Sequence, residues 1–148
     1  MEKMKSLLLV EDNEDDIDLT RLCLQKNKIL NPVTVVRDGA EALDYLFGQG
    51  PYQGRDLSDR PAVVLLDLNL PKISGLDVLE QLRKNPLTRG LPVVIFTTSN
   101  EEKDVVGAYE RGANSYLRKP VGLTQFSDAI RQFGFYWLTL NIDPPDDT

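Results

Sequence analysis

The sequence contains no histidine and only one cysteine, Cys23, among 148 residues. Without histidine, the chain cannot build the Ser-His-Asp or Cys-His arrangements of nucleophilic catalysis, or the usual zinc sites. A single cysteine cannot form an internal disulfide, and its neighbours Leu22 and Leu24 predict a buried, unreactive side chain. Any chemistry must therefore depend on carboxylates, hydroxyls, amides and amines.

Long apolar runs and a basic excess are also missing. The longest apolar run covers residues 62–66, whereas a membrane span needs about 20 residues. The apolar stretch near the N-terminus is too short for a secretory signal, so we expect a soluble, cytoplasmic protein. Seventeen basic and 23 acidic residues give a net charge of −6, which is the wrong sign for binding nucleic-acid phosphates.

Short β-branched or leucine-rich segments alternate with segments of helical spacing, and the length predicts one domain. The predicted strands cover residues 6–10, 34–36, 63–66, 93–96 and 115–117. The predicted helices cover the segment after Asn13, residues 40–47, residues 75–85, the segment after a capping box at 99–102, and residues 123–138. This alternation predicts an α/β fold, with a parallel sheet between two helical layers.

Acidic and amide side chains follow two of the predicted strands. Glu11 and Asp12 come after the first strand, and Asp67 and Asn69 come after the third. Ligands in open parallel sheets collect at the carboxyl ends of the strands, so we expect these side chains to lie together. Three carboxylates repel each other unless a cation intervenes, and an all-oxygen donor set suits Mg²⁺. The sequence therefore predicts a magnesium site.

Hydroxyl and amine groups follow the fourth and fifth predicted strands. Thr97 and Thr98 come after the fourth strand, and Lys119 and Pro120 come after the fifth. A carboxylate can attack phosphorus if a metal, a fixed cation and hydroxyl donors surround the phosphoryl oxygens. Asp67, Lys119 and Thr97 supply the carboxylate, the cation and the hydroxyl.

Four motifs, in this order along the chain, resemble those of a response-regulator receiver domain. They are Val10-Glu11-Asp12-Asn13, Leu65-Leu66-Asp67-Leu68-Asn69-Leu70-Pro71, Phe96-Thr97-Thr98-Ser99 and Tyr116-Leu117-Arg118-Lys119-Pro120. The resemblance covers about residues 5–138. It implies a flavodoxin-like (βα)5 fold, doubly wound, with five parallel strands in the order 2-1-3-4-5. It also places the receiver domain at residues 1–140 and leaves an acidic tail at 141–148, which we expect to be flexible.

The resemblance implies a phosphoacceptor and a set of metal ligands. Asp67 would accept a phosphoryl group from a histidine kinase. Asp12, Asp67 and the carbonyl group of Asn69 would bind Mg²⁺, with Glu11 acting mostly through water. The protein would then be a signalling switch rather than an enzyme with an external substrate.

The resemblance also assigns phosphoryl contacts and a switch. Thr97 would donate a hydrogen bond to the phosphoryl group, and Lys119 would pair with it, aimed inward by a cis peptide bond before Pro120. Tyr116 would change rotamer on phosphorylation. Thr98 stands where the family often has alanine or glycine, so we predict restricted access to the phosphoryl group.

The output is predicted to be a surface, since only about ten residues follow the last predicted helix. A narrower resemblance, to the single-domain regulators that partner phytochrome-type histidine kinases, implies such a kinase as partner. It also implies a homodimer through the fourth helix, fifth strand and fifth helix. An excess of aromatics near the C-terminus fits this interface, although the same residues would also fit an internal cluster that closes the domain. The predicted interface residues are Val106, Tyr109, Arg118, Phe133, Tyr136 and Trp137.

Two other classes of protein stay open from the residues alone. A Mg²⁺-dependent phosphohydrolase with an aspartate nucleophile would need a second carboxylate two residues after it, where this chain has Asn69. A flavodoxin-like cofactor binder would need a phosphate-binding loop after the first strand, where Glu11 and Asp12 would repel an anion. Receiver function therefore remains the preferred prediction.

Overall fold

A computed structural model describes residues 4–145 of the chain. Strands and helices alternate along its length. The strands are β1 (Leu7–Val10), β2 (Val33–Val36), β3 (Val63–Leu66), β4 (Val93–Thr97) and β5 (Ser115–Arg118). The helices are α1 (Glu14–Lys26), α2 (Gly39–Phe47), α3 (Gly75–Lys84), α4 (Glu102–Glu110) and α5 (Leu123–Phe135). A 3₁₀ turn covers Gly50–Tyr52, and a π-helical turn covers Tyr136–Leu140.

The five strands form one parallel sheet in the order β2-β1-β3-β4-β5. This order confirms the predicted flavodoxin-like fold. All residues of β1 and β3 are buried, because helices cover both faces of a parallel sheet. The reversal of strand order between β1 and β3 opens the crevice in which ligands bind in such folds.

Alternate strand residues point into two apolar layers. Leu8 and Val10 face the layer that contains α2 and α3, whereas Leu7 and Leu9 face the layer that contains α1 and α5. Cys23 lies in the second layer, so the prediction of a buried cysteine is confirmed. Within the described part of the chain, no helix has the length and apolarity needed to cross a membrane.

Two helices differ in detail from their predictions. The predicted capping box is wrong, because α4 begins only at Glu102 and its N-cap makes no side-chain hydrogen bond. Ser99, in the loop that joins β4 to α4, instead donates from Oγ to Asp104 Oδ2 in the first turn of α4, at 2.5 Å. Regular α-helix in α5 ends at Phe135 instead of residue 138 and continues as the π-helical turn.

The start of the predicted tail is held against the domain. Lys5 Nζ donates to the carbonyl oxygen of Asn141 at 2.5 Å and lies 3.6 Å from Asp143 Oδ1. The chain thus returns past the residue that leads into β1, and the flexibility of residues 141–148 stays a prediction. Residues 146–148 of the predicted tail lie outside the described residues.

Candidate functional site

Three carboxylates meet at the carboxyl ends of the parallel strands. Glu11 and Asp12 directly follow β1, and Asp67 directly follows β3. Each offers an oxygen atom, and these atoms lie within 4.8 Å of one another. Glu11 and Asp67 are buried, whereas Asp12 is exposed. Long-range pairing of β1 with β3 brings together residues that the sequence separates by more than fifty positions.

Lys119 reaches this cluster from the end of β5. Its Nζ donates to Glu11 Oε2 at 2.6 Å and to Asp67 Oδ2 at 2.9 Å. A third carboxylate, Asp16, accepts from Nζ at 2.9 Å. Burial by itself lowers the pKa of Lys119, but the hydrogen bonds to Glu11 and Asp67 outweigh burial and raise the pKa above its usual value. The amine is therefore a fixed positive charge at neutral pH.

The surroundings of Glu11 disfavour its charged form. Burial raises its pKa to about 7, although the hydrogen bond from Lys119 acts in the opposite direction, and the negative charge of Asp67 adds to the rise. Its second oxygen, Oε1, accepts from the backbone N–H of Asn13 at 3.2 Å. One ammonium thus compensates only part of the negative charge. A buried, all-oxygen cluster with surplus negative charge suits a hard divalent cation such as Mg²⁺.

The carboxylate of Asp67 is held at both oxygens. Oδ2 accepts from Lys119, and Oδ1 accepts from the backbone N–H of Asn69 at 3.1 Å. Asn69 is exposed, and its backbone N–H is the group that contacts the cluster. The carboxylate therefore has a fixed orientation at the edge of the sheet.

Thr97 and Thr98 occupy different environments at the end of β4. Thr97 is fully buried, and its Oγ1 has no hydrogen-bond partner in the structure. Thr98 is exposed and borders a cavity of about 260 Å³ that Lys119 and Pro120 also line. A buried hydroxyl without a partner is costly, so Thr97 is available to donate to a newly arriving acceptor.

We expect a Thr97→Val variant to be as stable as the wild type, or more stable by up to about 1 kcal/mol, because valine removes an unsatisfied hydroxyl. Thr88 provides a matched control, since it is also buried but its Oγ1 donates to the carbonyl oxygen of Leu82 at 2.6 Å. Thr88→Val should lower the free energy of unfolding by about 1 to 2 kcal/mol. Urea denaturation measures both, and equal destabilisation would mean that the Thr97 hydroxyl is bonded in solution.

Tyr116 connects β5 to the loop before α4. The half-buried ring lies on the same face of the sheet as Thr97, and its hydroxyl donates to the carbonyl oxygen of Ser99 at 2.9 Å. Burial raises the pKa of Tyr116, so the hydroxyl stays protonated.

The Lys119–Pro120 bond is trans. The implied cis bond is therefore wrong, and the trans chain suffices to bring Nζ to the carboxylates.

The predicted interface residues divide into surface and core. Val106, Tyr109 and Tyr136 are exposed, as is Arg118. Trp137 is half-buried, and its ring packs edge-on against Tyr136 with centroids 5.0 Å apart. Phe133 is only 4% exposed and packs in the layer with α1. It belongs to the core, because the inward face of α5 is set by contact with α1 and the sheet, and it does not contribute to the predicted surface.

Asp16 is the site residue that sequence reasoning missed. It lies in the first turn of α1, four residues after Asp12, where an acidic residue is usually explained by the positive end of a helix. Asp12 precedes the cap residue Asn13, so helical spacing does not relate it to Asp16, and the local sequence carries no signal for this role. Only the fold brings Asp16 to Lys119, 103 positions away.

A flavodoxin-like sheet that carries a buried acidic pocket, a fixed lysine and a free threonine hydroxyl defines the class of the protein. Residues 7–131 match the family model described as response regulator receiver domain. The chain belongs to this family, whose domain is a phosphoacceptor rather than a conventional enzyme.

The chain is similar to response regulators over nearly its full length, and two of the solved structures below carry phytochrome or bacteriophytochrome in their names. Response regulator Rcp1 of Synechocystis sp. is 39% identical over 134 residues, which cover 90% of this chain and 89% of Rcp1. A structure of the Mn²⁺-bound form of Rcp1 matches with a TM-score of 0.87 at 37% identity, over 95% of this chain and 99% of that chain. The structure of the phosphorylated cyanobacterial phytochrome response regulator RcpA matches with a TM-score of 0.89 at 36% identity, over 97% of this chain and 100% of that chain. The structure of the bacteriophytochrome response regulator RtBRR matches with a TM-score of 0.76 at 49% identity, over 98% of this chain and 87% of that chain.

Proposed function

We propose that Asp67 accepts a phosphoryl group from a phosphohistidine and that the protein acts as a phosphorylation-dependent switch. The observation that carries this proposal is the carboxylate of Asp67, buried and held between Lys119 Nζ and the N–H of Asn69. In the transfer, a carboxylate oxygen forms the O–P bond while the P–N bond of phosphohistidine breaks. The electron pair of that bond stays on the imidazole nitrogen.

The residues at the pocket fit Mg²⁺. Asp12, Asp67 and the carbonyl oxygen of Asn69 would hold the ion directly, and Glu11 would act mostly through water. The support is the group of carboxylate oxygens within 4.8 Å and the Mn²⁺ named for the Rcp1 structure. Bound there, Mg²⁺ would neutralise negative charge on the transferring group.

Labelling with acetyl phosphate tests the proposal. We expect one phosphoryl group per chain in the presence of Mg²⁺, no label after EDTA, and full recovery when Mg²⁺ is returned, because the metal offsets the charge of the pocket. Intact-mass spectrometry measures all three states. Label that survives EDTA would contradict the metal dependence, and continuous release of phosphate from a small phosphate ester would favour a phosphohydrolase instead.

The switch would begin at the free hydroxyl of Thr97. A phosphoryl group adds about two negative charges, which would attract this hydroxyl and the ammonium of Lys119. Movement of Thr97 would open space on the face of the sheet that also carries Tyr116. Because the hydroxyl of Tyr116 is bonded to Ser99, its rotation would alter the loop before α4 and the surface of α4, β5 and α5. Such coupling is typically about 1 to 3 kcal/mol.

The partner that supplies the phosphoryl group is proposed to be a histidine kinase of the phytochrome type. The support is the set of phytochrome response regulators among the relatives and the match over nearly the full length of Rcp1. Phosphotransfer profiling against the histidine kinases of the source genome identifies the kinase. Rapid transfer only from a kinase without a phytochrome sensor would contradict this assignment.

A further inference from the structure

The first turn of α1 carries an acidic side chain that helix capping does not explain. Asp16 is the third residue of α1, and its backbone N–H donates to the cap residue Asn13 at Oδ1, 2.9 Å away. An acidic residue at this position usually returns the contact by accepting the backbone N–H of the cap residue. Here that N–H donates to Glu11 Oε1 instead. The carboxylate of Asp16 is therefore free to reach across to Lys119.

Asp16 completes the hydrogen bonding of the Lys119 ammonium. An ammonium has three N–H donors, and the three carboxylates within hydrogen-bond distance are Glu11, Asp67 and Asp16. Glu11 and Asp67 belong to the candidate metal cluster, whereas Asp16 stands outside it. The side chain of Asp16 is 29% exposed, and that of Lys119 is 6% exposed. Asp16 thus lies on the outer side of the ammonium.

We infer that Asp16 is a positioning residue, which holds Lys119 so that its amine stays aimed at the phosphoryl-accepting oxygen of Asp67. This inference rests on the proposed function. Asp16 is fixed to the cap of α1 through its backbone and lies outside the metal cluster, so its contact with Lys119 does not depend on the oxygens that would take up the metal or the phosphoryl group. Without Asp16, the flexible side chain of the lysine retains only Glu11 and Asp67, which both belong to that cluster.

The test compares Asp16→Ala with Asp15→Ala. Asp15 is exposed, lies in the same turn and carries the same charge, but it makes no contact with Lys119. The first measurement follows exchange of the Lys119 ammonium protons with water in ¹⁵N-labelled, unphosphorylated protein at low temperature. Its signal is identified by its loss in Lys119→Arg. The second measures the initial rate of labelling by acetyl phosphate with Mg²⁺.

Asp16→Ala should speed exchange of the Lys119 ammonium at least about fivefold, since a charge-assisted hydrogen bond is lost. It should slow labelling about tenfold, because the amine is less well oriented. Asp16→Asn, which keeps an acceptor, should be intermediate, and Asp15→Ala should stay within about twofold of the wild type for both quantities.

A change in exchange without a change in labelling would overturn the inference, because Asp16 would then only support the structure. A change in labelling without a change in exchange would also overturn it, because Asp16 would then act by a route other than Lys119. A wild type that takes no label would remove the proposed function and this inference together. If the wild type is labelled normally and Asp16→Ala is labelled equally fast, the inference about Asp16 is wrong but the proposed function stands.

Discussion

An Asp67→Asn variant is expected to take no phosphoryl label from acetyl phosphate under conditions that label the wild type fully. An amide oxygen is a poor nucleophile, and asparagine cannot carry the acyl phosphate that a carboxylate forms. The shape of the side chain is retained, but the single amide oxygen can replace only one carboxylate oxygen, that which accepts from the N–H of Asn69 or that which accepts from Lys119. Lys119 also keeps its bonds to Glu11 and Asp16, so the loss should come from chemistry and not from unfolding.

The Asp12→Ala variant shows whether labelling is lost because the phosphoryl acceptor is missing or because Mg²⁺ binds more weakly. Asp12 is exposed and touches neither Lys119 nor the backbone of Asn69, so this variant should keep Asp67 in place but require more Mg²⁺ for the same rate. Raising the Mg²⁺ concentration should restore its label, whereas no concentration should restore label to Asp67→Asn. The assignment of Asp67 would be wrong if mass spectrometry found a stable phosphate on another residue and if that phosphate were still present in Asp67→Asn.

A Tyr136→Glu variant is expected to be a monomer at concentrations where the wild type is a dimer. Tyr136 is 49% exposed and Phe135 beside it is 52% exposed, and exposed aromatic side chains are enriched in protein interfaces. A carboxylate buried without a partner at such a contact should weaken association at least about 100-fold. Sedimentation equilibrium with and without beryllium fluoride measures this.

Leu22→Glu is the matched control for the dimer. Leu22 is 46% exposed on α1, outside the proposed interface of α4, β5 and α5, so its substitution should leave association unchanged. Trp137→Glu tests the same surface, but circular dichroism must accompany it because the ring is half-buried. A wild type that stays monomeric at high concentration in both states would make these aromatics internal packing and leave the output surface unlocated.

Several features of the site could be predicted from the sequence because they depend on strand ends. Each of Glu11, Asp67 and Lys119 stands directly after a short strand. Parallel strands place their carboxyl ends at one edge of the sheet, so position along the chain was enough to group these residues. Asn13 was likewise predictable as a cap, since its side chain bonds a backbone N–H only three residues away.

Features that depend on contacts between distant parts of the chain were decided only by the tertiary structure. Helical spacing puts Phe133 on the inward stripe of the last helix, and its burial against α1 and the sheet confirms that position and contradicts its inclusion in the predicted interface. The contact of Asp16 with Lys119 joins residues 103 positions apart, and that of Lys5 with Asn141 joins residues 136 apart. Local sequence specified the strands, the Asn13 cap and the residues at strand ends, because these depend on near neighbours. Packing of the folded chain determined the third partner of the lysine, the actual start of α4 and the return of the C-terminal segment, because those depend on contacts that exist only once the chain has folded.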